Sequence, residues 1–205
     1  MAVRMWTVRS DRPDDAAIAE AAAIVRGGGL VVFPTETVYG LAADRGNPQA
    51  IDRLNRVKGR PPEKPYSIHV SSVAQLQEYV DQVPEAARRL IDRFWPGPLT
   101  IVMPTREGWI GFRLPDHPVA LAFLAACATR IVAPSANRAG EPPPTVAVAA
   151  ERSLRGDIDG VLDAGPTPLG RESTVVRVDA AGVAILREGA VPTDAINRCV
   201  MGKMH

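Results

Sequence analysis

Cysteine is scarce in this chain of 205 residues: Cys127 and Cys199 stand far apart, without a CxxC pair or a Cys/His spacing that suits a metal. A disulfide scaffold is thereby excluded, and the expected setting is a reducing cytoplasm with both thiols as bystanders. Aromatic residues amount to 5%, too few for base stacking to be the main function. No sign of charge dominates, because 24 Lys and Arg meet 23 Asp and Glu. Any electrostatic function must be local, since no overall field draws the chain to nucleic acid or membrane. Nowhere do 18 apolar residues run together, and MAVRMWTVRSDRPDD carries no apolar core of a leader, so neither membrane spanning nor secretion is expected. Repeats, linkers and low-complexity tracts are also missing. So is a GxSxG elbow, and His69, His117 and His205 have no metal-ligand spacing. Gly27-Gly28-Gly29 follows a helix and precedes a strand, the reverse of a phosphate-binding loop, and no Gly-Lys-Ser/Thr comes after it.

What is present is an alternation of amphipathic helices and buried strands. Asp14-Asp15 opens an Ala-rich segment in which Ile18, Ala22 and Val25 share a helical face; the three glycines stop it before a strand over 30–33. Asn47-Pro48 supplies an N-cap and a first-turn proline for Ile51, Leu54 and Val57, and Gly59 ends that helix just past Lys58. Strands are predicted over 66–70, 99–103, 110–114, 130–133, 160–163, 173–178 and 183–187, the last pair joined through a hairpin at 179–182. Further helices are predicted after Ser72, from Pro84 to about 94, over 118–128, and behind caps at Thr145 and Thr193. Trp95-Pro96-Gly97-Pro98 reads as a rigid turn. The pattern predicts an α/β fold: one domain over 1–205, its core about 16–189, with a twisted mixed β-sheet and flanking helices.

Polar islands interrupt the apolar strands. VVFPTETVYGL runs three apolar residues into a proline and then a cluster of hydroxyls and one carboxylate. Lys58-Gly59-Arg60-Pro61-Pro62-Glu63-Lys64-Pro65 gathers three cations on a proline-stiffened segment that suits a polyanion, with a solvated basic turn as the competing reading. His69 follows on the next strand, where a structural histidine is the commoner case. Ala133-Pro134-Ser135-Ala136-Asn137 stands at a strand's carboxyl end, where α/β sheets keep ligand groups, although an ordinary Asx or Ser turn is the commoner fate of such residues. Gly170-Arg171-Glu172-Ser173-Thr174 enters one strand and Arg187-Glu188-Gly189 leaves another.

Taken in order, VVFPTETVYGLAAD, KGRP with SIHV, WPGPLT, FRLPDHP, APSAN with GEP, ESTVV and LREG make a set that resembles the YrdC-like family, the threonylcarbamoyl-AMP synthases, from about Ala16 to Gly189. The resemblance implies a concave, positively lined pocket, and synthesis of threonylcarbamoyl-AMP and pyrophosphate from L-threonine, bicarbonate and ATP with Mg2+ on the nucleotide. It also implies downstream threonylcarbamoyl-transferase proteins that place the group on adenosine 37 of tRNA, with weak tRNA or RNA binding as a further expectation. By the same resemblance, Thr37, His69, Arg113, Ala133 and Ser173 serve threonine. Arg60, Lys64, Ser135, Asn137, Pro143 and Arg187 serve ATP, and Lys58 and Arg60 are the catalytic cations. No metal site built by the protein is expected.

Ala139 and Pro143 stand where the family often has serines, so two hydroxyl contacts are lost, a backbone carbonyl at Pro143 being left. The chain stops at His205 without the linker and second domain of longer members, and either a short-type enzyme or a piece of a long one is expected. Two other readings stay open: a carbamoyl-adenylate activity, as in the YrdC-like module of hydrogenase-maturation enzymes, and a non-catalytic RNA-binding module.

Overall fold

The computed structural model describes residues 3–59, 65–155 and 157–202. Among these, the strands are β1 (Arg4–Thr7), β2 (Val31–Phe33), β3 (Gly40–Asp44), β4 (Ile68–His69), β5 (Leu99–Thr105), β6 (Gly108–Arg113), β7 (Ile131–Val132), β8 (Gly160–Asp163), β9 (Thr174–Asp179) and β10 (Gly182–Arg187). They join in one mixed ten-stranded sheet, ordered β1-β8-β2-β3-β7-β4-β6-β5-β9-β10. β1–β8, β2–β8, β4–β6 and β5–β9 run parallel, and the remaining neighbours antiparallel.

Both faces of the sheet are covered, which is why β2 is apolar at every position. Val31 and Phe33 point into a core with Val119, Phe123 and Leu124 of α4 (Pro118–Cys127) and with Ile18, Ala21 and Val25 of α1 (Asp15–Arg26). Val32 points the other way, as the two-residue strand period requires. It joins the larger core with α2 (Pro48–Lys58), α3 (Glu85–Phe94), α5 (Ala147–Ser153) and α6 (Thr193–Val200).

Local chemistry explains the best-defined ends. The Asp14 carboxylate accepts from Ala17 N, and Asn47 Oδ1 from Gln49 N and Ala50 N, so each caps its helix by satisfying free backbone donors. Gly59 closes α2 in the left-handed region at φ 60°, where a Cβ would be strained, and its N–H turns back to the carbonyls of Asn55 and Arg56. Arg60 and Lys64 lie outside the described residues.

Three expected caps are corrected. After Ser72 comes a 3-10 turn, Val73–Glu78, with no side-chain cap. α5 starts behind Val146 rather than Thr145, and Thr193 is the first residue of α6, its hydroxyl held by Glu188 instead of capping. β1 and β3 escape the sequence pattern, the first as a short edge strand, the second because Gly40, Ala42 and Ala43 are poor strand formers that pairing with β2 and β7 overrides.

Candidate active site

Segments from six elements meet over the central strands. The parallel register of β4 and β6 sets His69 beside Arg113. β7 runs out into Ala133, Pro134 and Ser135; the end of α2 brings Lys58; the entry to β9 and the end of β10 bring Ser173 and Arg187. Together with Val38, Tyr66, Thr100 and Glu172 these residues line a cavity of about 210 Å3. Of the residues expected for threonine, His69, Arg113, Ala133 and Ser173 line it; of those expected for ATP, Ser135 and Arg187 do.

The Pro-Thr-Glu-Thr loop lies just behind that wall. Thr35 Oγ1 donates to the Val38 carbonyl at 2.7 Å and accepts from Thr37 N at 3.2 Å, which folds the loop on itself. The two threonine hydroxyls are 2.9 Å apart, and Arg113 Nη2 donates to Thr37 Oγ1 at 2.8 Å. Thr37 is fully buried and is not among the cavity's lining residues; its hydroxyl meets Arg113 from behind. Glu36, with 6% of its surface exposed, sets Oε1 2.9 Å from Arg113 Nη2.

His69 is buried, and burial, with Arg113 adding to it, pushes its imidazole down to about 3 while a hydrogen bond with the Ser67 backbone opposes the shift. It is a neutral ring at physiological pH, and its Nδ1 has no partner within the described residues. Such a ring offers a hydrogen bond without a charge.

Lys58 is also buried, and its ammonium is held by the backbone carbonyls of Ser135 and Asn137. The helix end is thus tied to the Ser-Ala-Asn loop 77 residues on. Asn137 does not line the cavity: its Nδ2 donates to the carbonyls of Arg138 and Glu141 at 3.0 and 2.7 Å, shaping that loop, and its Oδ1 has no partner among the described residues. Pro143 is half-buried and also off the cavity wall, and the next carbonyl, of Pro144, accepts from Tyr39 N at 2.9 Å.

At the β9–β10 end, Ser173 Oγ and Thr100 Oγ1 are 2.9 Å apart. Arg187 donates through Nη2 to the Ser173 carbonyl at 2.9 Å and through Nη1 to Glu172 at 2.8 Å. One polar chain therefore runs from Thr100 through Ser173 to Arg187 and Glu172 at this end of the cavity. Glu172 is the carboxylate on the wall and is already paired, and no group of three His, Cys, Asp or Glu among the described residues could hold a metal ion.

The Sua5_yciO_yrdC family, described as Telomere recombination, matches residues 23–189, which takes in every segment of this cavity. The chain belongs to this family. Among its relatives, the threonylcarbamoyl-AMP synthase of Bacillus subtilis is 39% identical over 203 residues, covering 94% of this chain and 58% of that protein. The threonylcarbamoyl-AMP synthase of Pyrococcus abyssi is 38% identical over 200 residues, covering 93% and 59%. The chain thus spans less than two thirds of the length of these relatives. The crystal structure of Pyrococcus abyssi Sua5 complexed with L-threonine superposes with a TM-score of 0.91 at 38% identity, over 98% of this chain and 61% of that one. Glu36, Thr100 and Glu172 are polar site neighbours that sequence reasoning missed, as it missed the lining residues Val38 and Tyr66. Glu36 and Thr100 sit inside the motifs PTET and WPGPLT, but nothing in their spacing says that one pairs with Arg113 and the other faces Ser173.

Proposed function

We propose that this chain is a threonylcarbamoyl-AMP synthase: it joins L-threonine, bicarbonate and ATP into threonylcarbamoyl-AMP and pyrophosphate, for the N6-threonylcarbamoyl modification of tRNA. The observation that carries the reading is the pairing of Arg113 with neutral, buried His69 on adjacent strands of one cavity, in a chain 38% identical to a protein solved with L-threonine. A guanidinium suits the amino acid's carboxylate, and a neutral ring and the Ser173 hydroxyl suit its hydroxyl.

Threonine's neutral amine takes up bicarbonate to give a carbamate with loss of water. A carbamate oxygen then attacks the α-phosphorus of ATP, and the bond to pyrophosphate breaks. Anion meets anion in that step, so alignment and charge neutralisation matter more than a base. On the nucleotide side the reading assigns Arg187 and Ser135 from the cavity wall, with Arg60 and Lys64 and with Asn137 and Pro143 on the neighbouring loop. Lys58 and Arg60 are the catalytic cations of this scheme, and the Lys58 ammonium is also held by the carbonyls of Ser135 and Asn137. Mg2+ supplies charge neutralisation on the triphosphate. Partners are the downstream transferase proteins, with tRNA as the eventual acceptor, in the cytoplasm. No helix among the described residues is long and apolar enough to cross a membrane.

The test is mass spectrometry of reactions containing ATP, bicarbonate and single amino acids. Threonine should yield the threonylcarbamoyl adenylate, while valine, a near-isostere without the hydroxyl, should be rejected strongly. Comparable pyrophosphate release with valine would overturn the assignment.

A further inference from the structure

Glu36 is a buried carboxylate in an unusual position. It lies in the loop between β2 and β3, its backbone carbonyl accepting from Leu169 N at 2.9 Å. Oε1 is 2.9 Å from Arg113 Nη2, yet neither carboxylate oxygen has a hydrogen-bond partner within the described residues. The hydrogen bond of Nη2 goes to Thr37 Oγ1 instead. Nearby, the buried His117 feels the Glu36 charge, which opposes the downward push of burial on its imidazole, but its Nδ1 is likewise unpartnered. A carboxylate removed from water with its lone pairs unmet is strongly disfavoured, and the close guanidinium is the compensation in view. Arg113 is 5% exposed, lines the cavity, and has an Nε without a partner among the described residues. Glu36 and Thr37 therefore both approach one nitrogen of Arg113, and neither lines the cavity.

We propose that Glu36 is a positioning residue for the amino-acid substrate, acting through Arg113 and touching no ligand itself. This rests on the functional reading above, in which Arg113 takes the threonine carboxylate. A freely turning guanidinium would present its fork in many orientations, and a bidentate contact needs one. The effect should thus be confined to threonine and spare the nucleotide.

Calorimetric titrations of L-threonine and of ATP, on the whole chain and on Glu36→Gln, Glu36→Asp, Arg113→Lys and the Glu36→Gln/Arg113→Lys double variant, test it. Glu36→Gln keeps the volume and should weaken threonine binding about 10- to 100-fold, by analogy with the loss of partners that orient metal ligands. ATP affinity should stay within about twofold, and Glu36→Asp should recover part of the loss. In the Arg113→Lys background, Glu36→Gln should add less than about twofold, because a residue acting only through Arg113 has nothing left to orient. Unaltered threonine affinity in folded Glu36→Gln, losses that multiply in the double variant, or equal weakening of both ligands would each overturn the proposal. If Glu36→Gln fails to fold, Glu36→Asp decides: weaker threonine with unchanged ATP supports positioning, and unchanged threonine overturns it. Absence of threonine binding to the unaltered chain would overturn the functional reading as well, whereas a silent Glu36→Gln would overturn only the role of Glu36.

Discussion

His69 shows how far the fold moves the chemistry of a single residue. In an unfolded chain a histidine takes up its proton near pH 6.5, whereas burial and the neighbouring guanidinium hold this one at about 3. Below pH 6.5 the unfolded chain therefore binds a proton that the folded chain refuses, and stability falls as the pH falls. The contribution is fully present above about pH 6.5 and is lost toward pH 3, with a limiting slope of about 1.4 kcal/mol per pH unit. His117, lowered mainly by burial, acts in the same direction. Urea unfolding at pH 7.5 and 5.0 should show His69→Gln losing less stability on acidification than the unaltered chain, by up to about 2 kcal/mol. Equal losses would mean that His69 is protonated in the folded state. The sequence made His69 a candidate through its place on a strand behind the cationic segment, but its neutrality comes first from burial, to which contact with Phe33 belongs, and then from Arg113, 44 positions further on.

The β9–β10 hairpin is the element that carries Ser173 and Arg187, and Thr174 is its clasp. This fully buried threonine donates from Oγ1 to the Val191 carbonyl at 2.6 Å and accepts from Gly189 N at 2.8 Å and Val191 N at 3.0 Å. One hydroxyl thereby holds the segment leaving β10 against the start of β9. Gly189 is part of the same closure, since a Cβ there would lie 2.3 Å from the Glu172 carbonyl oxygen. Thr174→Val keeps the shape and strands two backbone N–H groups, each worth about 1–3 kcal/mol when left buried and unpaired. Chemical denaturation should therefore register a loss of at least about 2 kcal/mol. A loss below about 0.5 kcal/mol would mean that water or a backbone shift replaces the clasp. The hairpin itself was readable from alternation around Asp179-Ala180-Ala181-Gly182, and the observed strands differ from the expected ones by a single residue at a few ends. The clasp was not readable, because ESTVV marks Thr174 only as one hydroxyl among others.

On the scale of the whole molecule, the sheet separates two cores, and the smaller one reaches the cavity through aromatic contacts. Phe123 of α4 packs on Phe33 with ring centroids 5.2 Å apart, and Phe33 meets the His69 ring edge-on at 6.2 Å. Phe123→Ala should open a void in a core with no exposed side to collapse from, costing about 3–5 kcal/mol in an equilibrium unfolding measurement. A cost below about 1 kcal/mol would show that α1 and α4 close over the gap.

The sequence by itself determined what depends on neighbours a few residues apart. Asp14, Asn47, Pro48 and Gly59 delimit α1 and α2 with the chemistry of caps, and uninterrupted apolar runs mark the strands buried on both faces. It also determined the order of the motifs and with it the family. Only the tertiary structure decided the strand order, the admission of the alanine-rich β3 to the sheet's centre, and which side of the cavity wall each polar group occupies. Thr37 and Glu36 went behind Arg113, 76 and 77 positions distant, while Lys58 was spent on two carbonyls 77 and 79 positions away. The physical reason is range: caps, turns and periodicity act within one or two turns of chain, but a buried charge finds its partner only when packing has brought distant segments together.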